Sequence, residues 1–517
     1  MPLNRRNFIR TATATAASAG LGGAISASAS LDTRNALWTM PKRASLAKKP
    51  KRPNLLFLWT DQHRADTVPW ADNSVVGAPA LASLAEQSFV FQRAYVAQPV
   101  CTPSRASILT GTWPHNHGAV TNHIALRDDL KTVARRVSTR YENAYFGKWH
   151  LGNEIRAQHG FDHWISIDDS YWEDYTDPED KHRFSDYYHF LMEKGFPPDD
   201  EEENPGEAVF SRYLAAALPE QYTKVSFLAD RAEEFLRERK DGKPFTLHVS
   251  ALEPHPPTYG PLNGDFDPDE MPTGPAFAVP VDDDASVLHR GVKERLKEKG
   301  FKNHPIETEG DFRRLKANYY GLVKMVDNAY SRVLQALFES GQAENTIIVY
   351  TSDHGDMVGD HALMDKSVFY EEATRVPLTI HVPWLSRERV DIEALFSQVD
   401  LFPTLLELMG LPVTEDIDGQ SRASQMVGGS GDWADRVVVE WNDPAHPEEA
   451  GRSLVTVEGW KLNLYRTGAA ELFDLNSDPG ELKNLAKRKQ VQSRIAGMRA
   501  AIRDWQKQTG DTLELIG

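Results

Sequence analysis

Four short runs of apolar residues stand out along the chain, and each ends in polar, ionisable residues. Residues 55–59 (LLFLW) stop at Thr60, Asp61 and Gln62. Residues 143–146 lead into Gly147, Lys148, Trp149 and His150, residues 245–250 into Glu253, Pro254 and His255, and residues 346–350 into Ser352, Asp353 and His354. Continuous apolar runs of this length predict strands buried on both faces, as in a parallel sheet. Helical patterns lie between them, including 79–87, the long segment 312–339 and 400–410, which stops at Gly410. Alternation of strands and helices predicts an α/β fold with a mixed, mostly parallel sheet flanked by helices. Ligand crevices in such sheets lie beyond the carboxyl ends of the strands. The four polar clusters are therefore expected to meet at one site.

Two stretches break this rhythm. Residues 160–218 mix Trp164, Tyr171, Trp172, Tyr175, Tyr187 and Tyr188 with many acids, ending in the acidic run 199–203. The acids read as a solvated excursion and the aromatics as a candidate substrate-facing wall. Residues 256–310 are rich in Pro, Gly and Asp and predict a long loop or lid. Glu371 and Arg375 have the i,i+4 spacing of a helical ion pair. From about residue 430, strand-like segments at 437–440, 452–456 and 460–465 and a helix at 490–508 predict a small α+β subdomain. The expected organisation is 1–29 export signal, 30–52 basic linker, 53–429 catalytic domain and 430–517 C-terminal subdomain.

Charge narrows the function. The 517-residue chain has a net charge of -17, which argues against a general nucleic-acid binder. An anionic substrate then needs a locally positive pocket. No stretch predicts a membrane span. Arg5 and Arg6, followed by Asn7, Phe8 and Ile9, a weakly apolar run and the small residues Ala27, Ser28 and Ala29, read as a twin-arginine export signal. A single cysteine, Cys101, excludes an internal disulfide and leaves that thiol as filler or as chemistry.

The context of Cys101 favours chemistry. It opens Cys101-Thr102-Pro103-Ser104-Arg105, followed by Ala106-Ser107-Ile108-Leu109-Thr110-Gly111. Pro103 suits the first turn of a helix, which sets Cys101 at a helix N-terminus, where negative charge is favoured. Arg105 has a planar fork able to hold an oxyanion. Two carboxylates at strand ends, Asp61 and Asp353, need a cation or a proton to coexist. Lys148 and His150 share a face of an extended segment. His115, Asn116, His117, Asn122 and His123 follow the nucleophile helix, and Asn122 and His123 are candidate substrate contacts.

C-T-P-S-R, with A-S-I-L-T-G after it, resembles the signature of the type I sulfatases of the alkaline-phosphatase superfamily, and the likeness runs from about Asn54 to Leu485. The resemblance implies an alkaline-phosphatase-like fold and oxidation of Cys101 to formylglycine by a formylglycine-generating enzyme. It implies a divalent cation, calcium in preference to magnesium or manganese, held by Asp61, Gln62, residue 101, Asp353 and His354, a set suited to a hard ion. It assigns Lys148 and His150 to the formylglycine, Lys366 to the ester oxygens and His255 to the leaving group. The implied reaction is attack on sulfur by a hydrate oxygen, with Arg105, Lys148 and Lys366 stabilising the oxyanions. His150 then deprotonates the second hydroxyl, which expels sulfate.

Gln62 departs from the commoner paired aspartates and resembles choline-sulfatase-like and phosphonate-monoester-hydrolase-like relatives. The expected substrate is a sulfate ester, of a sulfated polysaccharide or a small molecule. The alternatives are a phosphonate monoester or phosphodiester hydrolase with the same nucleophile, and a non-catalytic binder of sulfated glycans. The implied protein partners are the generating enzyme and the twin-arginine translocase, with a periplasmic or secreted destination.

Overall fold

The computed structural model describes residues 38–517 apart from 43–44, 72, 138, 170–171, 173–174, 197–217, 240–241, 283–284, 300–305, 307, 430 and 516–517. The chain divides into two units: Met1–Trp38, of which only Trp38 is described, and Thr39–Gly517. The export signal, Tyr171, the acidic run 199–203 and part of the basic linker lie outside the described residues.

Eight strands form the main sheet: β1 (Asn54–Asp61), β2 (Phe89–Tyr95), β3 (Glu142–Gly147), β4 (His163–Ile165), β5 (Phe245–Pro254), β6 (Thr346–Ser352), β7 (Arg375–His381) and β8 (Val390–Ser397). Their order is β4-β3-β5-β1-β6-β7-β2-β8. Only the β7 pairings with β6 and β2 are antiparallel. The four apolar runs noted in the sequence are β3, β5, β1 and β6, which are four consecutive parallel neighbours. Every residue of β1 and β6 is buried, which explains why neither alternates. Trp59 pairs with Ser250 and with Thr351, and Gly147 pairs with Ser250. The carboxyl ends of the four strands are thereby brought level.

Helices α1 (Pro79–Ala85), α2 (Cys101–Thr110), α3 (Lys224–Glu238), α4 (Val287–Lys299), α5 (Glu309–Glu339) and α6 (Gln398–Leu408) surround this sheet. Thr308 and Asp311 form a capping box at the start of α5. From α5, Tyr330 donates its hydroxyl to the Trp59 carbonyl (2.6 Å) and Tyr319 to the Gln62 carbonyl (2.8 Å), tying the helix to the end of β1. Ala78 cannot cap α1 with its side chain. Asp327, also on α5, does so from a distance, accepting from the N–H of Ala80 (3.2 Å) and Leu81 (2.8 Å).

The C-terminal strands β9 (Arg436–Trp441), β10 (Gly451–Thr456), β11 (Trp460–Tyr465) and β12 (Ala470–Asp474) make an antiparallel sheet in the order β12-β11-β10-β9. Ile495, Met498 and Ile502 of α7 (Gln492–Thr509) pack on Val438, Leu454, Leu462 and Leu472.

Three expectations need correction. The 256–310 segment is no structureless lid, since it contains α4. Glu371 and Arg375 share no helix: the helix at Glu371–Thr374 ends where β7 begins, and Glu371 pairs with the buried Lys461 (3.0 Å). The aromatics Trp164, Tyr175 and Tyr187 form no exposed wall. Trp164 stacks on Tyr145 at 5.1 Å, and Tyr175 and Tyr187 are buried, Tyr187 packing on Phe227.

Candidate active site

Helix α2 starts at Cys101, directly after the extended residue Val100, and all ten of its residues are buried. Val100 has no side-chain acceptor for the free N–H groups of the first turn. Asn122 supplies one, its Oδ1 accepting from Thr102 N at 3.1 Å. Asn122 thus supports the start of the helix through Oδ1, and the residue is half-buried. Pro103 has no N–H to satisfy. Ser104 donates to the Asp353 carbonyl at 2.5 Å, fixing α2 to the end of β6.

This start of α2 faces the strand ends. Cys101 Sγ lies 3.2 Å from His354 Nε2, 3.7 Å from Asp61 Oδ1 and 3.9 Å from Lys148 Nζ. Asp61, Cys101, Asp353 and His354 offer ligand atoms that all lie within 4.8 Å of one another, and all four are buried. His354 donates Nδ1–H to the Gly355 carbonyl (2.8 Å), which leaves Nε2 to face the cluster.

The electrostatics are those of a buried pocket in which acids and bases compensate one another. Burial opposes ionisation of Asp61, yet Lys148, His255, Arg105 and Lys366 hold it well below the usual carboxylate range. Burial disfavours a charged His354 ring, but Asp353 and Cys101 raise it to about 9. A positive charge is therefore favoured at the point where Nε2 meets the two carboxylates. Burial and Asp61 resist ionisation of the Cys101 thiol, and Lys148, Lys366 and His354 outweigh them.

Arg105 lies beneath the two carboxylates. Its guanidinium is fully buried and already committed: Nε donates to Asp353 Oδ2 (2.8 Å), Nη2 to Asp61 Oδ2 (3.1 Å), and Nη1 to the Lys148 carbonyl (2.7 Å) and Ser250 Oγ (2.9 Å). It bridges the two carboxylates, which it can do because its planar fork spans both.

Lys148 and His150 occupy a tight loop after β3, not the extended segment expected. Gly147 has φ +114°, and a Cβ there would lie 1.9 Å from the Ser250 carbonyl, so the approach of β3 to β5 excludes a side chain. Lys148 Nζ reaches Asp61 Oδ2 at 2.7 Å. The Glu154 carboxylate accepts from the N–H of Trp149 (3.0 Å) and His150 (2.5 Å), holding His150 at φ +56°. Burial, with Asp168 nearby, pushes Glu154 up to about 8. Burial, Lys148 and Arg105 keep His150 well below its ordinary value, hence neutral. The exposed His123 ring meets His150 edge-on at 5.7 Å. His255 donates Nδ1–H to the Pro256 carbonyl at 2.7 Å.

Gln62 has partners that the sequence did not reveal. Its Nε2 donates to Asp356 Oδ2 (2.6 Å) and Asp365 Oδ1 (2.9 Å), while Oε1 accepts from Lys366 Nζ (2.7 Å). A neutral amide can join two acids to one lysine, whereas a third carboxylate here would repel both acids. Its backbone N–H donates to Asp353 Oδ1 (3.0 Å). Sequence reasoning missed Glu154, Ser250, Asp356 and Asp365. Asp356 was visible within S-D-H-G-D; the others carry no local signal. Of the further loop residues, His115 binds Glu440 (2.7 Å) and His117 meets Ser107 (3.2 Å), both away from the cluster.

A lone buried cysteine at a helix N-terminus, with two carboxylates, a histidine and lysines, is gathered at the carboxyl edge of a sheet of alkaline-phosphatase-like architecture. The profile of the sulfatase family matches residues 53–411, and that of the N-sulphoglucosamine sulphohydrolase C-terminal region matches 359–508. The chain belongs to the sulfatase family and is a sulfuric ester hydrolase. It is 29% identical to an arylsulfatase of Clostridium perfringens over 463 residues, covering 87% of this chain and 93% of the relative. It is 25% identical to an N-acetylglucosamine-6-O-sulfatase of Bacteroides thetaiotaomicron over 526 residues, covering 90% and 88%. The crystal structure of the phosphonate monoester hydrolase of Agrobacterium radiobacter shares the fold, with a TM-score of 0.73 at 24% identity, covering 89% of this chain and 96% of that one. The family implies a divalent cation and a formylglycine, and the buried quartet of Asp61, Cys101, Asp353 and His354 fits both.

Proposed function

We propose that the protein is an exported sulfatase that releases sulfate from a sulfated carbohydrate, using formylglycine made from Cys101 and one divalent cation. The observation that carries this reading is the meeting of Cys101 Sγ with His354, Asp61 and Lys148 within 3.9 Å. Asp61, Asp353 and His354 would hold the cation, with residue 101 beside it and calcium favoured by the oxygen-rich donors. When bound, the cation would supply Lewis-acid stabilisation, and residue 101, once oxidised and hydrated, would supply the attacking oxygen.

The protein's own groups do the rest. Lys148 and Lys366 hold the anionic sulfate oxygens, Lys366 being steadied by Gln62. His255 delivers a proton to the leaving alcohol oxygen from Nε2, its Nδ1 being held by Pro256. The neutral His150 accepts a proton at residue 101. The carbohydrate assignment is supported by the relative named for N-acetylglucosamine-6-O-sulfate. Export is supported by Arg5, Arg6 and the small-residue site before Ser30. The translocase and a formylglycine-generating enzyme are the implied partners.

A phosphonate or phosphodiester substrate is the second reading, favoured by the neutral Gln62. The deciding experiment co-expresses the protein with a generating enzyme and offers matched aryl sulfate, aryl phosphonate and phosphodiester substrates. Mass analysis of the peptide containing residue 101 and a Cys101→Ala control accompany it. Sulfate release that dominates and vanishes with Cys101→Ala is expected; dominant phosphonate or diester cleavage would overturn the assignment.

A further inference from the structure

Beside His255 lies a cavity of about 30 Å³ that the proposed chemistry does not use. Glu253 and Lys224 are two of its walls, with Tyr187 and Tyr259 beside them and the apolar side chains of Leu322 and Met325 closing it. Both charged residues are buried, Glu253 at 9% and Lys224 at 3% exposure. Glu253 Oε1 accepts weakly from Val225 N at 3.4 Å, and Oε2 has no hydrogen-bond partner among the described residues. Lys224 attracts the Glu253 carboxylate, and its ammonium lies 5.9 Å from the centre of the Tyr187 ring.

Three physical constraints select the occupant. The volume admits a small polar group of one or two water-sized units. A cation already stands over the aromatic face, so a second one is repelled instead of being held by the ring. An acceptor beside a donor matches a hydroxyl, which can give and take a hydrogen bond at once. His255 forms part of the same wall, so the group filling the cavity belongs to the leaving alcohol.

We propose that Glu253 and Lys224 bind a hydroxyl group of the leaving alcohol close to the scissile ester oxygen, making Glu253 a specificity-determining residue for polyol sulfates. The inference rests on the sulfatase reading. An aryl leaving group brings no hydroxyl, so the Glu253 acceptor stays unmatched and the site discriminates against it.

The test uses the full chain carrying formylglycine. It measures kcat/KM for N-acetylglucosamine 6-sulfate, 4-nitrophenyl sulfate and choline sulfate in the wild type, Glu253→Gln, Glu253→Leu and Lys224→Met. The expected result is a sugar-to-aryl ratio that falls tenfold or more in Glu253→Leu and Lys224→Met, less in Glu253→Gln, and choline sulfate as the poorest wild-type substrate. Thermal melting identifies a variant that fails to fold, and the remaining variants then decide. A ratio unchanged within twofold in folded, active variants, or efficient turnover of choline sulfate, overturns the hydroxyl reading alone. A wild type that releases sulfate from none of the three overturns the sulfatase reading together with it.

Discussion

Replacing Arg105 separates a positioning role from an oxyanion-binding one. The guanidinium makes four hydrogen bonds, two of them to the carboxylates of Asp61 and Asp353, in a fully buried setting. Removing one partner of a buried ion pair costs about 3–5 kcal/mol, because the remaining charge loses its compensation. The two charge-assisted bonds, at about 1.5–3 kcal/mol each, describe the same loss and are not added to it. Arg105→Ala should therefore lower the Tm of chelator-treated protein by roughly 3–5 °C. Arg105→Lys keeps the charge but cannot span both carboxylates, so it should fall between Ala and wild type. Added calcium should narrow the gap, since the cation takes over the neutralisation of Asp61 and Asp353. Thermal melting with and without chelator reads both effects. If Arg105→Ala melts with wild type and the defect appears only as a raised KM, Arg105 binds substrate and the bridging argument is wrong.

Three further outcomes are expected. A Cβ at Gly355 would lie 1.9 Å from the Glu372 carbonyl, so Gly355→Ala should displace Asp353 and His354 and cut kcat/KM about a hundredfold; a fully active variant would contradict the packing. Burial pushes Asp327 up to about 7, so the folded state binds its proton more tightly than the unfolded chain does. This contribution is fully present below about pH 4 and is lost as pH rises to about 7, by up to about 4 kcal/mol. Asp327→Asn should flatten that slope in denaturation measured across the range, and parallel pH profiles would count against it. Calorimetric titration of chelated protein should show one divalent site that Asp353→Asn weakens at least tenfold, and unchanged affinity would remove Asp353 from the ligand set.

Much of the site was readable in the chain because strand burial and strand-end chemistry are both local signals. The apolar runs before Asp61, Lys148, His255 and Asp353 became four adjacent parallel strands, and their polar ends met. The edge of the sheet was harder to read. In β8, charged and partly exposed positions interrupt the apolar pattern, and β4 has only three residues. The helix spacing of Glu371 and Arg375 misled because the tertiary ion pair with Lys461 prevails over a weak surface pair.

By itself the sequence determined the fold class and the residues able to meet around Cys101, since burial periodicity and a five-residue signature are properties of contiguous chain. Only the tertiary structure decided what each polar group faces. It turned Arg105 to the back of Asp61 and Asp353, Asn122 to the start of α2, and Gln62 to Asp356, Asp365 and Lys366. Those partners lie 20 to 304 positions away along the chain, and a buried hydrogen bond is set by the direction of its donor in space, which no local pattern records.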